Sequence, residues 1–134
     1  MNVIGLGNEW RRDDGAGLEV ARRTGGRQLD GEPVALVEAL VGADEVTIVD
    51  AVSSGAPAGT VHEFEAGAEP LPVRLFGASS THALGLAEAL ELARSLGRLP
   101  TRVRVLGIEG ARFDYGRGLS PEVEAAVERC TRSI

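Results

Sequence analysis

The sequence predicts an α/β fold in which helices cover both faces of a mixed sheet. Short apolar segments rich in β-branched residues alternate with longer amphipathic segments along the 134 residues, as strands alternating with helices do. Right-handed crossovers between such strands place helices on both faces of the sheet. The link from Val52 to Thr60 is too short for a crossover, so one strand is expected to be antiparallel. The length favours one domain, residues 1–134, with a three-layer α/β/α architecture.

In the first half of the chain, three strands and two helices are predicted. The first strand is an apolar run closed by a glycine turn, and the third is apolar between acidic ends, which is typical of a buried strand. The first helix stops at Gly25-Gly26, and Pro33 suits the first turn of the second. The predicted elements are strands at Asn2 to Leu6, Arg27 to Asp30 and Glu45 to Val52, a helix from Asp13, and a helix from Pro33 that buries Val34, Val37, Leu40 and Val41.

In the second half, two strands, a loop and two helices are predicted. Thr60 to Glu65 alternates in polarity, and Arg102 to Ile108 alternates before it becomes apolar. Two prolines make Glu69 to Leu75 a predicted loop. Hydroxyl side chains before both helices are suited to capping. The helices are expected after Ser79-Ser80-Thr81 and at Ser120-Pro121-Glu122, and the last one is expected to bury Val123, Ala126, Val127 and Cys130.

Charge and cysteine content favour a cytoplasmic protein that binds neither nucleic acid nor membranes. A net charge of −6 and a pI near 4.9 oppose attachment to phosphate backbones and acidic lipids. The single cysteine allows no internal disulfide, and Met1 leads directly into a strand without a charged leader or a long apolar segment. A reducing cytoplasm is the expected location.

Three polar residues are predicted to meet at the carboxyl edge of the sheet, where open α/β sheets bind their ligands. Asp14 follows the first strand, Asp50 ends the third, and His82 lies at the mouth of the long helix. Two neighbouring carboxylates repel each other unless solvent, hydrogen bonds or a cation lies between them. Two carboxylates and one imidazole form a ligand set that suits nickel, zinc, cobalt or manganese. The sequence therefore predicts a metal site without choosing the metal.

Each of these residues, taken singly, also has a structural interpretation. Asp13 and Asp14 suit helix capping, and capping is the expected role of Asp13. Asp50 fits a polar strand end, and His82 fits a cap or a surface histidine. His62 is expected to be an exposed strand histidine rather than a ligand. The shared location of Asp14, Asp50 and His82 is what favours the metal site.

Several enzyme classes lose their main sequence support. Gly5-Leu6-Gly7 follows a strand, but Trp10 occupies the place of the third glycine of a dinucleotide fingerprint. The sequence contains no GxSxG elbow, no HExxH motif and no lysine at all. Cys130 lies on the apolar stripe of the last helix, so a buried small hydrophobic residue is expected there rather than a catalytic thiol.

Nearly the whole chain resembles the hydrogenase maturation endopeptidases. The matching motifs stand in family order with similar spacing, and together they are specific. They are Gly5-Leu6-Gly7-Asn8, Asp13-Asp14-Gly15-Ala16-Gly17, Val49-Asp50-Ala51, Pro57 to Thr60, Ser80 through Leu86, Leu99-Pro100 leading into Val105 to Glu109, and Gly118 to Val123. The resemblance implies a three-layer α/β/α fold, phosphorylase/hydrolase-like, with a mixed and mostly parallel five-stranded sheet.

The resemblance also implies a function and its residues. It places the family's two metal-contacting acids on Asp14 and Asp50 and its histidine on His82, which are thus the implied catalytic and metal-binding residues. The implied reaction is endopeptidase removal of the C-terminal extension of a nickel-iron hydrogenase large-subunit precursor, with nickel carried by that precursor. The implied enzyme is of aspartic or metal-dependent type. Nickel, or another divalent transition metal, polarises the scissile carbonyl, supplies hydroxide or serves only as a recognition handle.

The segment after Asp30 departs from the family. Members continue with a glycine-threonine stretch, whereas this chain has Glu32-Pro33 after Asp30-Gly31 and is several residues shorter. The resemblance places this loop beside the substrate cleft, so Asp30 and Gly31 are the implied substrate-binding residues. One alternative is therefore a noncatalytic metal- or hydrogenase-binding homologue. A peptidyl-tRNA hydrolase is a weaker alternative, because Glu9-Trp10-Arg11 replaces the proline and glycine expected after its Gly-Leu-Gly-Asn turn.

Overall fold

A computed structural model describes residues 2–77 and 84–134 of the chain. Strands and helices alternate along these residues, and a 3-10 helix at Arg12–Gly15 precedes the first α helix. None of the helices within the described residues is long and apolar enough to cross a membrane. The strands are β1 (Asn2–Leu6), β2 (Arg27–Leu29), β3 (Glu45–Val52), β4 (Val61–Glu65) and β5 (Arg102–Glu109). The helices are α1 (Ala16–Thr24), α2 (Pro33–Leu40), α3 (Val73–Phe76), α4 (Leu86–Ser95) and α5 (Pro121–Ser133).

The sheet is mixed, with the strand order β2-β1-β3-β5-β4. β1, β2, β3 and β5 are parallel, whereas β4 runs antiparallel beside β5, with Val61 opposite Ile108. The expected antiparallel strand is therefore confirmed, but it does not form a hairpin with β3. β5 takes the place beside β3, with register pairs from Glu45 opposite Arg102 to Val52 opposite Glu109. The link after β3 therefore passes across β5 before β4 begins.

Helices pack on both faces of the sheet, which confirms the three-layer arrangement. Neighbouring side chains of a strand point to opposite faces, so Ile48 of β3 belongs to one core and Val49 to the other. The first core lies beneath α2 and α4, and the second lies beneath α1 and α5. The first includes Ile4, Leu36, Leu40, Ile48, Phe76 and Leu90, and the second includes Val20, Val49, Leu106, Ile108, Val123 and Val127.

The buried face of α2 differs from the predicted one. Leu36, Val37 and Leu40 are buried, whereas Val34 and Val41 are exposed. α2 ends at Leu40, and Val41 has the extended backbone of a C-cap, so the helical spacing does not continue to it. The prediction that Val34 and Val41 share the buried face was wrong. Val41 lies beyond the helix end, which apolar spacing alone does not fix, and Val34 lies in the first turn of α2 with its side chain exposed.

Three other element boundaries shift. The helix predicted from Asp13 is a 3-10 turn there, and α1 starts at Ala16. The predicted loop from Glu69 to Leu75 contains the start of α3. α4 starts only at Leu86, where the Gly85 N–H donates to the Glu88 carboxylate over 2.8 Å. The caps expected from Ser79-Ser80-Thr81 lie outside the described residues.

Candidate active site

A cavity of about 340 Å³ opens at the carboxyl edge of the sheet, beyond the ends of β1 and β3. β2 and β3 flank β1 on its two sides, and such a reversal of strand order is where open α/β sheets bind ligands. The polar lining includes Arg11, Asp14, Asp30, Asp50 and Ser53. The apolar lining includes Leu6, Leu36, Phe76, Leu84, Leu86 and Phe113. The cavity therefore combines a carboxylate-rich part with an apolar part.

Asp14 reaches this cavity from the 3-10 helix that follows β1. Its Oδ2 accepts the N–H of Asn8 over 3.1 Å. The two segments approach closely at Gly7, where a Cβ would lie 1.9 Å from the carbonyl oxygen of Asp14, and the φ of Gly7 is +146°. Only glycine fits both the backbone angle and the space. The glycine turn after β1 therefore fixes the place of Asp14.

Asp50 comes from β3 and shares the cavity with Asp14. Burial and, to a smaller extent, the negative charge of Asp14 raise the pKa of Asp50 to about 8, although the N–H of Ala51, which donates over 2.9 Å, acts in the opposite direction. Two neighbouring carboxylates form a site in which a cation is stabilised, because the cation relieves the repulsion between their charges. The structure thus brings Asp14 and Asp50 together, as a shared ligand site requires.

The third predicted ligand, His82, lies outside the described residues. Within residues 2–77 and 84–134, no group of three or more His, Cys, Asp or Glu side chains that could hold a metal ion is formed. The pair of Asp14 and Asp50 therefore needs a third donor from elsewhere to complete a transition-metal site. His82 in that role stays a prediction.

Asp30 and Gly31, the implied substrate-binding residues, line the same cavity. Asp30 Oδ1 accepts the N–H of Glu32 over 2.9 Å, and the Glu32 carboxylate in turn caps α2 by accepting from Val34 and Ala35. Gly31 has a φ of +91°, a conformation that strains any other residue. The short loop between β2 and α2 is therefore ordered by these contacts, and its residues Asp30 and Gly31 border the cavity.

Asp13 has a different role from the capping expected of it. Its side chain is fully buried and makes no helix-cap hydrogen bond. Its carboxylate accepts the N–H groups of Ala111, Arg112 and Ser120 over 2.7 to 2.8 Å, and the Ser120 hydroxyl over 2.8 Å. Burial raises its pKa, but these hydrogen bonds outweigh burial and hold the pKa below its ordinary value. Asp13 therefore ties the Asp14 segment to residues 110–120, and the Ser120 hydroxyl serves Asp13 instead of capping α5.

The buried carboxylate of Glu109 and the half-buried His62 form a second polar group that the sequence did not predict. His62 was expected to be exposed, but its Nε2 lies 3.1 Å from a carboxylate oxygen of Glu109, which is 1% exposed. The same carboxylate accepts the N–H and the hydroxyl of Ser54 over 2.7 and 2.6 Å. Ser53, the neighbour of Ser54, lines the cavity. Glu109 therefore holds the loop that follows Asp50.

Glu109→Gln is expected to lower the free energy of unfolding by about 1–3 kcal/mol, because the amide cannot accept from both Ser54 groups and His62 and leaves a buried partner unsatisfied. The matched control is Glu63→Gln on β4, where an exposed ion pair with Arg104 contributes at most about 1 kcal/mol. Urea unfolding of both variants measures the difference. Equal stability of the two variants would show that the Glu109 contacts are not stabilising.

Cys130 is buried in the second core, as expected. Burial also raises the pKa of its thiol, against weaker opposite effects from Arg129 and Arg104. A raised pKa keeps the thiol protonated and unreactive at neutral pH. The prediction of a packing role for Cys130 is therefore confirmed.

The sequence matches a known family and several of its characterised relatives. The profile described as hydrogenase maturation protease (HycI) matches residues 30–134. The chain is 32% identical to the hydrogenase expression/formation protein HupD of Thiocapsa roseopersicina, over 98% of this chain and 63% of HupD. It is 30% identical to HoxM of Cupriavidus necator, over 94% of this chain and 67% of HoxM. This chain thus spans less than two thirds of the length of HupD.

The fold matches two solved structures over almost their full lengths. The hydrogenase maturating endopeptidase HybD from Escherichia coli superposes with a TM-score of 0.81 at 27% identity, covering 99% of this chain and 89% of HybD. The NiFe hydrogenase maturation protease HybD from Thermococcus kodakarensis gives a TM-score of 0.74 at 29% identity, covering 99% and 96%. The similarity therefore extends over the elements that form the cavity.

Proposed function

The chain belongs to the hydrogenase maturation protease family, and from this premise we propose that it cleaves the C-terminal extension from a nickel-containing hydrogenase large-subunit precursor. The observation that carries the proposal is the pair of carboxylates, Asp14 and Asp50, in one cavity at the carboxyl edge of the sheet. A peptide that enters this cavity meets both acids and the apolar lining beside them. The cavity thus offers the polar groups that peptide hydrolysis requires and an apolar wall for a side chain.

The metal of this reaction is proposed to be the nickel that the precursor carries, bound by Asp14, Asp50 and His82. Two carboxylate oxygens and an imidazole nitrogen are donors that suit nickel and other divalent transition metals. The raised pKa of Asp50 supports the proposal, since a cation between two acids relieves their repulsion. Recognition of the metal restricts cleavage to precursors that have already received it.

The proposed chemistry is metal-assisted hydrolysis with Asp50 as the proton carrier. With its pKa near 8, Asp50 holds a proton at neutral pH until the precursor's nickel arrives and favours the ionised carboxylate. Asp50 then gives up that proton to solvent. Nickel carried by the precursor would polarise the scissile carbonyl. The Asp50 carboxylate would accept a proton from the attacking water as the new C–O bond forms, and would donate it to the amine nitrogen as the C–N bond breaks. Asp30 and Gly31, at the border of the cavity, orient the incoming peptide.

Incubation of the protein with a nickel-loaded precursor is expected to shorten the large subunit, and His82→Ala is expected to abolish the cut while unfolding stays cooperative. The physical reason is that the imidazole is required as a ligand. Mass spectrometry of the large subunit measures cleavage, and thermal unfolding measures the fold. Val41→Ala is the matched control, because Val41 is exposed and lies away from the cavity lining.

The same incubation separates the protease from a noncatalytic homologue. A precursor that is bound but left uncut by the unaltered protein would favour the noncatalytic homologue. The alignment with HupD extends over 145 positions, more than the 134 residues of this chain, so HupD has insertions that this chain lacks. If grafting a glycine-threonine stretch after Gly31 restored the cut, the short loop would be identified as the cause.

A further inference from the structure

The only tryptophan and the only tyrosine of the chain lie at neighbouring exposed positions beside the cavity. Trp10 is 48% and Tyr115 is 82% exposed. They belong to two segments, residues 8–14 and residues 110–120, that are far apart in sequence and hydrogen-bonded to each other. Exposed aromatic residues cost solvation free energy and are concentrated in the centres of protein interfaces. We call Trp10, Tyr115 and Arg117 the aromatic rim.

The aromatic rim is held in place before any partner arrives. The Gly116 N–H donates to the Trp10 carbonyl over 2.8 Å, and the Arg12 N–H donates to the Gly116 carbonyl over 2.9 Å. The Arg117 guanidinium lies 5.0 Å from the centre of the Trp10 ring and 3.1 Å from the Glu9 carboxylate. A surface that is ordered in advance loses less conformational entropy on binding. The rim is therefore suited to binding a protein rather than to packing within this chain.

Even the backbone of the first segment is constrained. Arg12 has a φ of +48°, a left-handed conformation that is unfavourable for a residue with a side chain. The Arg12 side chain donates to Asp114 over 3.0 Å, and the buried carboxylate of Asp13 binds Ala111 and Arg112. These contacts stabilise the unfavourable conformation. They fix the backbone between Trp10 and Asp14.

The aromatic rim is continuous with the cavity. Arg11 and Asp14 of the first segment and Phe113 of the second line the cavity, within a few residues of Trp10 and Tyr115. A protein whose tail enters the cavity must therefore bring its folded surface close to the rim. Around the rim, the side chains of Arg12, Arg112 and Arg117 are paired with Glu9 and Asp114, although the whole chain has a net charge of −6. The rim therefore lacks the excess of negative charge that would repel an acidic surface.

We propose that the aromatic rim is the docking surface for the folded body of the hydrogenase large-subunit precursor, with Trp10 and Tyr115 as the main contacts. This inference rests on the proposed function, since the occupant is the protein whose tail is cut. Docking at the rim holds the folded precursor while its extension reaches Asp14 and Asp50. Affinity for the precursor then depends on residues that take no part in the chemistry.

Two experiments on Trp10 test this proposal: one uses Trp10 as an NMR reporter of binding, and the other replaces it. Incorporation of 5-fluorotryptophan labels the chain at Trp10 alone, so nickel-loaded precursor is expected to shift or broaden its single ¹⁹F resonance. In steady-state cleavage, the double variant Trp10→Ala, Tyr115→Ala is expected to raise KM by about tenfold or more, because central aromatic contacts dominate interface affinity. kcat is expected to stay within about twofold, since binding contacts shared by substrate and transition state leave it unchanged.

Control variants separate docking from folding. Trp10→Phe keeps a ring at the rim and is expected to recover most of the KM, and Val41→Ala, an exposed apolar residue elsewhere, is expected to leave KM unchanged. Normal cleavage with an unaltered KM in the double variant overturns the docking surface and leaves the proposed function standing. A fall in kcat without a rise in KM also overturns it. A precursor that neither binds nor is cut by the unaltered protein overturns both proposals.

Discussion

Asp50→Asn is expected to abolish cleavage of the precursor and, at the same time, to stabilise the metal-free protein. The amide cannot carry the proton or balance the charge of a cation, and loss of even an outer-shell partner costs a metal site about 10- to 100-fold. A loss of at least about 100-fold is therefore expected for a residue that contacts the metal itself. Stability changes in the opposite direction, because the neutral amide carries no charge that burial would penalise and removes the repulsion between Asp50 and Asp14.

The direction of the stability change follows from how the ionisation of Asp50 depends on pH. Asp50 binds its proton more tightly in the folded protein, where the pKa is about 8, than in the unfolded chain, where it is near 3.8. The stability that this proton contributes is lost as the pH rises from about 4 to about 8. Asp50→Asn removes that loss, so at pH 8 it is expected to raise the free energy of unfolding by on the order of 1–3 kcal/mol.

Urea unfolding in the presence of a chelator, at pH 5 and at pH 8, measures this change. Asp44→Asn serves as the control, since Asp44 is exposed and lies at the amino end of β3. A variant that gains stability at pH 8 and loses cleavage would separate the functional role of Asp50 from any role in the fold. A variant that is less stable than the unaltered protein at pH 8 would instead identify Asp50 as a structural residue.

Asp13→Ala is expected to lower the free energy of unfolding by about 3–5 kcal/mol, because breaking a buried, charged hydrogen-bond network leaves its partners without compensation. Three backbone N–H groups and the Ser120 hydroxyl lose their acceptor at once. The pKa of Asp13 is lowered in the folded protein, so its contribution is present above its ordinary pKa and disappears as the pH falls through the folded value. In the variant, the free energy of unfolding is therefore expected to change less with pH in the acid range near this pKa than in the unaltered protein.

Asp114→Ala is a suitable control for Asp13→Ala, because Asp114 also contacts this region but through exposed ion pairs with Arg12 and Arg112. Exposed pairs contribute at most about 1 kcal/mol each. Thermal unfolding between pH 3 and pH 7 compares the two variants. If Asp13→Ala were no less stable than Asp114→Ala, the buried carboxylate would have to be regarded as dispensable.

The strands could be predicted because their signal is local. Glu45 to Val52 is apolar and β-branched between acidic ends, and the structure has β3 at those residues. The stripe of Val123, Ala126, Val127 and Cys130 was likewise correct, since helical spacing over thirteen residues defines one face clearly. The pairing of β4 with β5 was not predicted. No local sequence pattern shows that β5, which comes later in the chain, lies between β3 and β4.

The candidate site was predicted only in part, for a similar reason. Asp14 and Asp50 could be placed together because Asp14 follows β1 and Asp50 lies near the end of β3, two parallel strands whose carboxyl ends share an edge. Asp13 and Glu109, in contrast, bind groups about 100 and 50 positions away, and His62 is drawn inward by one of them. A buried acid with distant backbone partners has the same sequence pattern as a helix cap or a strand end, so the spacing alone did not distinguish them.

The position of β5 between β3 and β4 determines when the site can form. β3 and β4 are completed by Glu65, but the strand that joins them begins only at Arg102. The carboxylate of Asp13 likewise gains its hydrogen-bond donors only when residues 111–120 have been synthesised. Such long-range pairing is slow, and during synthesis the amino-terminal elements exist before their partner does. A nascent chain that stops short of β5 therefore has both aspartates but lacks the strand and the loop that complete the candidate site, so assembly of this site depends on completion of the carboxyl-terminal third.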